Sequence, residues 1–199
     1  MELSLPLPGK VQAENAALAI AALQVAFPEI NQDAIRRGLV NLKIPGRFEK
    51  ICDQPPFIID GAHTPESLAL CIETFCSLYR DDAVLIFGCA ADKDAGAMAK
   101  IAHAHFSKII ITTPGTFKIS NPQKVYEAFV SAGGQEKTQL VLDTQKAVSL
   151  AIDFAKNYSQ NTSHKGTEAQ RHKGEESRVL PILGTGSFYL VSEIRKFVC

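Results

Sequence analysis

The chain has 199 residues, and its 21 Lys and Arg balance 21 Asp and Glu, so the formal net charge is zero. That balance excludes a broad nucleic-acid footprint, which needs a surplus of cations. A hydrophobic content of 46% with 21% charged residues excludes a wholly disordered chain, and no apolar run nears the roughly 20 residues of a membrane helix.

The opening MELSLPLPGK lacks the basic-then-apolar order of a secretory signal. From Gly9 to about Asn41 the pattern is helical. ENAALAIAALQVAF is rich in Ala and Leu, which favour helix, and its apolar residues are dense enough for burial on most faces. Pro28 interrupts it, and Asn31 and Asp33 offer a cap for a second helix through Ile35, Leu39 and Val40. The two helices read as a packed hairpin, and IPGRFE begins a different pattern.

From Phe57 onward, short apolar runs alternate with amphipathic stretches. FIID, AVLIFG, KIIITT, QLVLD and VLPILG are β-branched-rich and bounded by Gly, Pro or Asp, as buried parallel strands are. Helical segments are expected over 65–79, 95–105, 122–132 and 144–157, with a last helix from Phe188 to Lys196. This alternation predicts an α/β fold, a mostly parallel Rossmann-like sheet with helices on both faces. Residues 157–178 are polar and aperiodic, and a mobile surface loop is expected there, with His164 and His172 read as solvated rather than metal-bound. The five cysteines, Cys52, Cys71, Cys76, Cys89 and Cys199, form no CxxC pair and read as reduced, mostly buried thiols of a cytoplasmic protein.

In such sheets the working residues gather at the carboxyl ends of the strands. Asp60-Gly61-Ala62-His63-Thr64-Pro65 follows FIID, where Asp60 suits ribose hydroxyls and His63 a carboxylate or phosphate; an ordered turn needs the same residues. Gly88-Cys89-Ala90-Ala91-Asp92-Lys93-Asp94 follows AVLIF; Lys93 suits an anion or a local salt bridge, and Cys89 has no His–acid pair to make it a nucleophile. Gly184-Thr185-Gly186-Ser187 reads as an anion nest or a tight turn. Pro45-Gly46-Arg47-Phe48-Glu49 joins hairpin to sheet, with the Arg47 fork matched to phosphate. The P-loop pattern G-x-x-x-x-G-K-[ST] does not occur in these residues.

Together, PGRFE, DGAHTPES, FGCAADKD and the closing GTGSFYLVSEIR resemble the carboxyl-terminal domain of the Mur ligase superfamily, most closely the folylpolyglutamate synthase/dihydrofolate synthase branch. GKVQAENAALAIAAL resembles the end of that family's central ATPase domain, which implies a helical remnant at 1–44 and the α/β domain at 45–199. Thr64 stands where the folate branch has Asn, as in the peptidoglycan-precursor ligases.

The resemblance implies an ATP- and Mg²⁺-dependent ligase that adds L-glutamate to a folate through an acyl phosphate. It assigns ATP contacts to Asn15, Arg47 and Asp60, and glutamate contacts to His63 and Ser187. Catalytic roles fall on His63, Lys93 and Asp94. The P-loop and most magnesium ligands would lie in an amino-terminal ATPase domain outside these residues. The chain is therefore expected to be inactive alone, with apolar faces at Ala19, Leu23 and Phe27 open to a partner or a second copy. A Mur-type peptidoglycan-precursor ligase fragment and a non-catalytic binding module stay open as alternatives.

Overall fold

The computed structural model describes residues 3–162 and 179–198. His164, His172, Cys199 and residues 163–178 of the expected polar loop lie outside the described residues. Two helices open the chain, α1 (Lys10–Ala26) and α2 (Gln32–Val40). The Asn31 side chain accepts from Asp33 N and caps α2 as expected. The hairpin is not buried on most faces, as its apolar density suggested: α1 has no buried residue and α2 buries only Ile35, while Ala19, Leu23 and Phe27 lie open as the resemblance implied. The apolar residues of α1 are spread around its whole circumference, so no single face can bury them, and Leu18, Val25 and Phe27 stay exposed.

The rest is a six-stranded sheet in the order β1-β2-β6-β3-β4-β5. Strands β2 (Pro56–Ile59), β3 (Val84–Phe87), β4 (Lys108–Ile111), β5 (Thr138–Leu140) and β6 (Ile182–Thr185) pair in parallel. Edge strand β1 (Glu49–Asp53) is antiparallel to β2 and is absent from the sequence reading, because EKICD has no apolar run. Helices α3 (Pro65–Leu78), α4 (Ala95–Ala102) and α5 (Pro122–Phe129) pack on one face. Helices α6 (Thr144–Thr162) and α7 (Phe188–Arg195) pack on the other. α6 runs five residues beyond the expected end, since NYSQNT holds no helix breaker and Tyr158 packs on Phe154.

The strands divide their side chains between the two faces with period two. Ile58, Leu85 and Ile109 meet Leu68, Phe75, Met98 and Phe129, while Phe57, Ile59, Ile86 and Ile110 meet Ala151, Leu190 and Ile194. A fully buried Leu, Ile or Phe stabilises by about 1.5–3 kcal/mol, so these two layers carry the fold. Strand β6 is followed by a helix on one face, whereas β2 and β3 on either side are followed by helices on the other. A crevice must open where these connections part, above the carboxyl end of β6.

Candidate active site

Backbone hydrogen bonds draw the loops around that crevice together. Asp60 N donates to Gly184 O, Gly186 N to Ala62 O, and Gly61 N to Gly46 O, at 2.8–3.0 Å. The approach leaves no room for side chains. Gly186 has φ +109°, and a Cβ there would sit 2.8 Å from the Gly88 carbonyl oxygen. A Cβ on Gly61 would sit 2.4 Å from the Phe188 ring. These glycines are needed for close passage as much as for conformation.

The β2, β3 and β6 loops expected to hold a ligand converge on one small cavity of about 150 Å³. It is lined by His63, Lys93, Gly186, Ser187 and Phe188, and by Lys118 from the loop after β4. Ser187 caps α7, its hydroxyl oxygen accepting from Tyr189 N at 3.1 Å while its O–H is free to donate. His63 Nδ1 lies 2.9 Å from the Gly61 carbonyl oxygen. A carbonyl only accepts, so Nδ1 carries the hydrogen and a neutral His63 keeps Nε2 as its free acceptor. Lys93 is partly exposed and 3.8 Å from Asp92, a loose pair that leaves its charge available to the cavity. Two ammonium groups, a hydroxyl donor and a helix amino terminus make this a cationic pocket suited to carboxylates.

Arg47 and Asp60 meet in an adjoining groove of about 300 Å³, with Lys10, Ser67 and Thr74 along its walls. The Asp60 carboxylate is 7% exposed; Oδ2 accepts from Phe48 N and Oδ1 from Ala62 N, each at 2.8 Å. Phe48 holds a left-handed φ of +42°, uncommon for a bulky residue, and Asp60 pins it there. Burial pushes the Asp60 carboxyl above its ordinary value of 3.8, against the two backbone N–H groups and the nearby Arg47 guanidinium. The same burial, with the Asp60 carboxylate beside it, pushes the Cys71 thiol well up. Arg47 lies over the Phe188 ring, 4.5 Å from its centroid, so one aromatic side chain touches both groove and pocket.

Two expected site residues stand apart. Asn15 is exposed on α1, in an apolar groove of about 500 Å³ between α1 and α2, and does not line the Arg47 groove. Asp94 Oδ1 accepts from Ala97 N and caps α4, which fixes the loop carrying Lys93. Cys89 is buried, and burial pushes its thiol up to about 11, a poor setting for a nucleophile. Lys118 and Phe188 were not singled out from the sequence. The rule that chemistry gathers after parallel strands points to Lys118, since TTPGTFK follows β4 as the other loops follow their strands. Phe188 carries no charge, and only its contacts reveal its place.

Residues 46–160, more than half of the chain, match the family model described as Mur ligase, glutamate ligase domain. The chain belongs to the Mur ligase family. This Mur ligase domain is 31% identical to folylpolyglutamate synthase of Lacticaseibacillus casei, over 98% of the chain and 40% of that protein. It is 34% identical to UDP-N-acetylmuramoyl-L-alanyl-D-glutamate–2,6-diaminopimelate ligase of Aquifex aeolicus, over 78% of the chain and 33% of that protein. Folylpolyglutamate synthase of Mycobacterium tuberculosis complexed with ADP superposes with a TM-score of 0.85 at 22% identity, covering 98% of this chain and 42% of that one. The fold is therefore that of a folylpolyglutamate-synthase-like Mur ligase carboxyl-terminal domain. The chain spans about two-fifths or less of these relatives' length. Among the described residues, no helix is long and apolar enough to cross a membrane.

Proposed function

We propose that this chain is the carboxyl-terminal part of an ATP-dependent folylpolyglutamate-type ligase and that its cationic pocket holds the carboxylates of the incoming L-glutamate. The convergence of Lys93, Lys118, Ser187 and His63 on one cavity carries the reading. In the reaction that the family resemblance implies, ATP converts the folate γ-carboxylate to an acyl phosphate, the glutamate amino group attacks, and phosphate leaves. Glutamate must first lose an ammonium proton, and the free Nε2 of His63 is the acceptor this pocket offers. Lys93, Lys118 and Ser187 hold the carboxylates, which turns the attack into a positioned, nearly unimolecular step.

Arg47 supplies a planar fork to nucleotide phosphates and is preset by its stacking on Phe188. Asp60 holds the Arg47 turn, so a ribose contact would fall to the remaining lone pairs of a nearly enclosed carboxylate. Asn15, on the hairpin, is proposed for the adenine. The donor set does not fit magnesium: the pocket is cationic, Asp60 is committed to backbone N–H groups and Asp94 to a helix cap. No magnesium step is routed through these residues. The P-loop pattern is absent from the 199 residues, and we propose that they do not ligate glutamate by themselves.

The relative from Aquifex aeolicus favours a second reading, in which 2,6-diaminopimelate is the amino acid added. Charge argues against it, since that molecule brings a second ammonium to a pocket that already has two lysines. Calorimetric titration with L-glutamate and, separately, 2,6-diaminopimelate tests the choice. Glutamate should bind, and Lys93→Ala, Lys118→Ala or Ser187→Ala should each remove a charge-assisted hydrogen bond, about 1.5–3 kcal/mol or roughly tenfold to a hundredfold in affinity. Preference for diaminopimelate would support the second reading. Glutamate affinity unmoved by both lysine variants would remove the pocket from the first.

A further inference from the structure

Three metal-ligating side chains meet at the opposite end of the sheet from the candidate site, where the chain enters the interior strands β3 and β4. Cys76 lies near the end of α3, Asp81 in the connection to β3, and His105 in a 3₁₀ turn (His103–His105) just before β4. One donor atom from each falls within 4.8 Å of the other two. The Cys76 Sγ is 3.9 Å from His105 Nδ1, which is 3.5 Å from Asp81 Oδ1.

We propose that Cys76, Asp81 and His105 bind a divalent transition metal of the zinc class, as a clamp between the chain segments that enter β3 and β4. Without a metal the three side chains hydrogen-bond one another through long contacts, and the same spacing fits a metal. A separation of 3.5 Å is too long for a strong N–H···O bond. Tetrahedral zinc, with bonds of about 2.3 Å to sulfur and about 2.1 Å to nitrogen or oxygen, sets its ligand–ligand edges at about 3.4–3.6 Å. The observed edges of 3.5 and 3.9 Å lie close to that triangle. A thiolate, a neutral imidazole and a carboxylate together carry two negative charges, matching a dication, and the sulfur and nitrogen donors select against magnesium and calcium.

The frame beneath is already built. Phe75 and Phe106, the chain neighbours of Cys76 and His105, are buried with their rings 6.0 Å apart, which fixes the two donors relative to each other. Asp81 is mostly exposed and His105 partly so, leaving the fourth tetrahedral corner to water. Binding releases the Cys76 thiol proton to solvent, since the thiolate is the ligand.

The test uses the 199-residue chain stripped with chelator and titrated with Co²⁺, whose bond to a thiolate gives a near-ultraviolet charge-transfer band. One equivalent should saturate the band, Zn²⁺ should bleach it, and Zn²⁺ should raise the melting temperature. Cys76→Ser should abolish the band. Asp81→Asn and His105→Gln, both at exposed or half-exposed positions that the core does not need, should weaken binding by more than the roughly tenfold that even an outer-shell partner is worth. A band that persists in Cys76→Ser, an affinity unmoved by both other variants, or no band at all would overturn the proposal.

Discussion

Asp60 decides how the groove is built, and Asp60→Asn tests it. The wild-type carboxylate accepts two buried backbone N–H groups, Phe48 N on Oδ2 and Ala62 N on Oδ1. Asparagine keeps one acceptor oxygen and turns an NH₂ toward the other donor, orphaning one buried N–H at about 1–3 kcal/mol. Losing a buried charge offsets part of that cost, so a net loss of about 1–2 kcal/mol is expected at neutral pH. For a chain of this size each kcal/mol lowers the melting temperature by about 2–4 °C, giving a drop of about 2–8 °C. Asp60→Ala orphans both donors and should fall further.

The pH dependence has a definite sign. The folded carboxyl is raised above 3.8, so the folded state binds its proton more tightly than the unfolded chain. Wild type therefore gains stability from this group as pH falls through the raised value, the gain becoming complete below 3.8, and loses it as pH rises. Neither variant titrates there, so the gap between wild type and Asp60→Asn should widen on acidification. Thermal melts across a pH series read both effects. An asparagine variant as stable as wild type, or an alanine variant no worse than asparagine, would show that the two N–H groups do not depend on this carboxylate.

Burial should also silence thiols: raised from 9.0 to about 12 and about 11, Cys76 and Cys89 have about 1,000-fold and 100-fold less thiolate near neutral pH than unperturbed thiols. Iodoacetamide labelling of metal-free protein read by mass spectrometry should find both slow, and fast labelling of Cys89 would reopen its nucleophile role. Gly88→Ala should destabilise by about 2 kcal/mol or more in urea unfolding, because the new Cβ would lie 2.5 Å from the immovable Thr112 carbonyl oxygen. Gly38→Ala has nothing within 4 Å and should stabilise α2 by up to about 1 kcal/mol, read by circular dichroism. The purified chain should self-associate with rising concentration through its exposed hairpin, and Leu23→Ser with Phe27→Ser should reduce that in sedimentation.

The parallel sheet was legible because its central strands are short, β-branched runs buried on both faces, and nothing but a strand suits them. Strand β1 escaped because an edge strand exposes half its residues, so EKICD looks like a polar connection. The hairpin helices were legible from Ala, Leu and the Asn31 cap; their exposure was not legible from composition, which says that residues are apolar and not what covers them, and only the family resemblance implied the open faces at Leu23 and Phe27. His63, Lys93 and Ser187 were each visible as loop residues after a strand. The resemblance already set His63 and Ser187 on one ligand, but that Lys93 joins them was not visible, because it depends on β6, the last strand in sequence, inserting between β2 and β3. The structural duty of Asp60 lay equally out of sight: its partner Phe48 is 12 residues away and joins it through a backbone N–H that no motif encodes.

Phe188 gives the proposed nucleotide groove and glutamate pocket a common mechanical part. Its ring carries the Arg47 guanidinium, lines the pocket beside His63 and Ser187, and fills the space that Gly46 and Gly61 leave without a Cβ. Ser187, immediately before it, caps α7, so the ring and the hydroxyl move with one helix terminus. Anything that shifts Arg47 must therefore press on the wall of the carboxylate pocket, and a ligand that orders Ser187 must restrain Arg47. Gly61→Ala isolates that coupling: its Cβ would displace the partly exposed Phe188 ring rather than fixed backbone, so stability should change little while Arg47 and the pocket wall move together. In glutamate titrations this variant should bind as weakly as Ser187→Ala although every polar ligand group is intact. Wild-type affinity in Gly61→Ala would mean that the ring is a bystander and the two sites are independent.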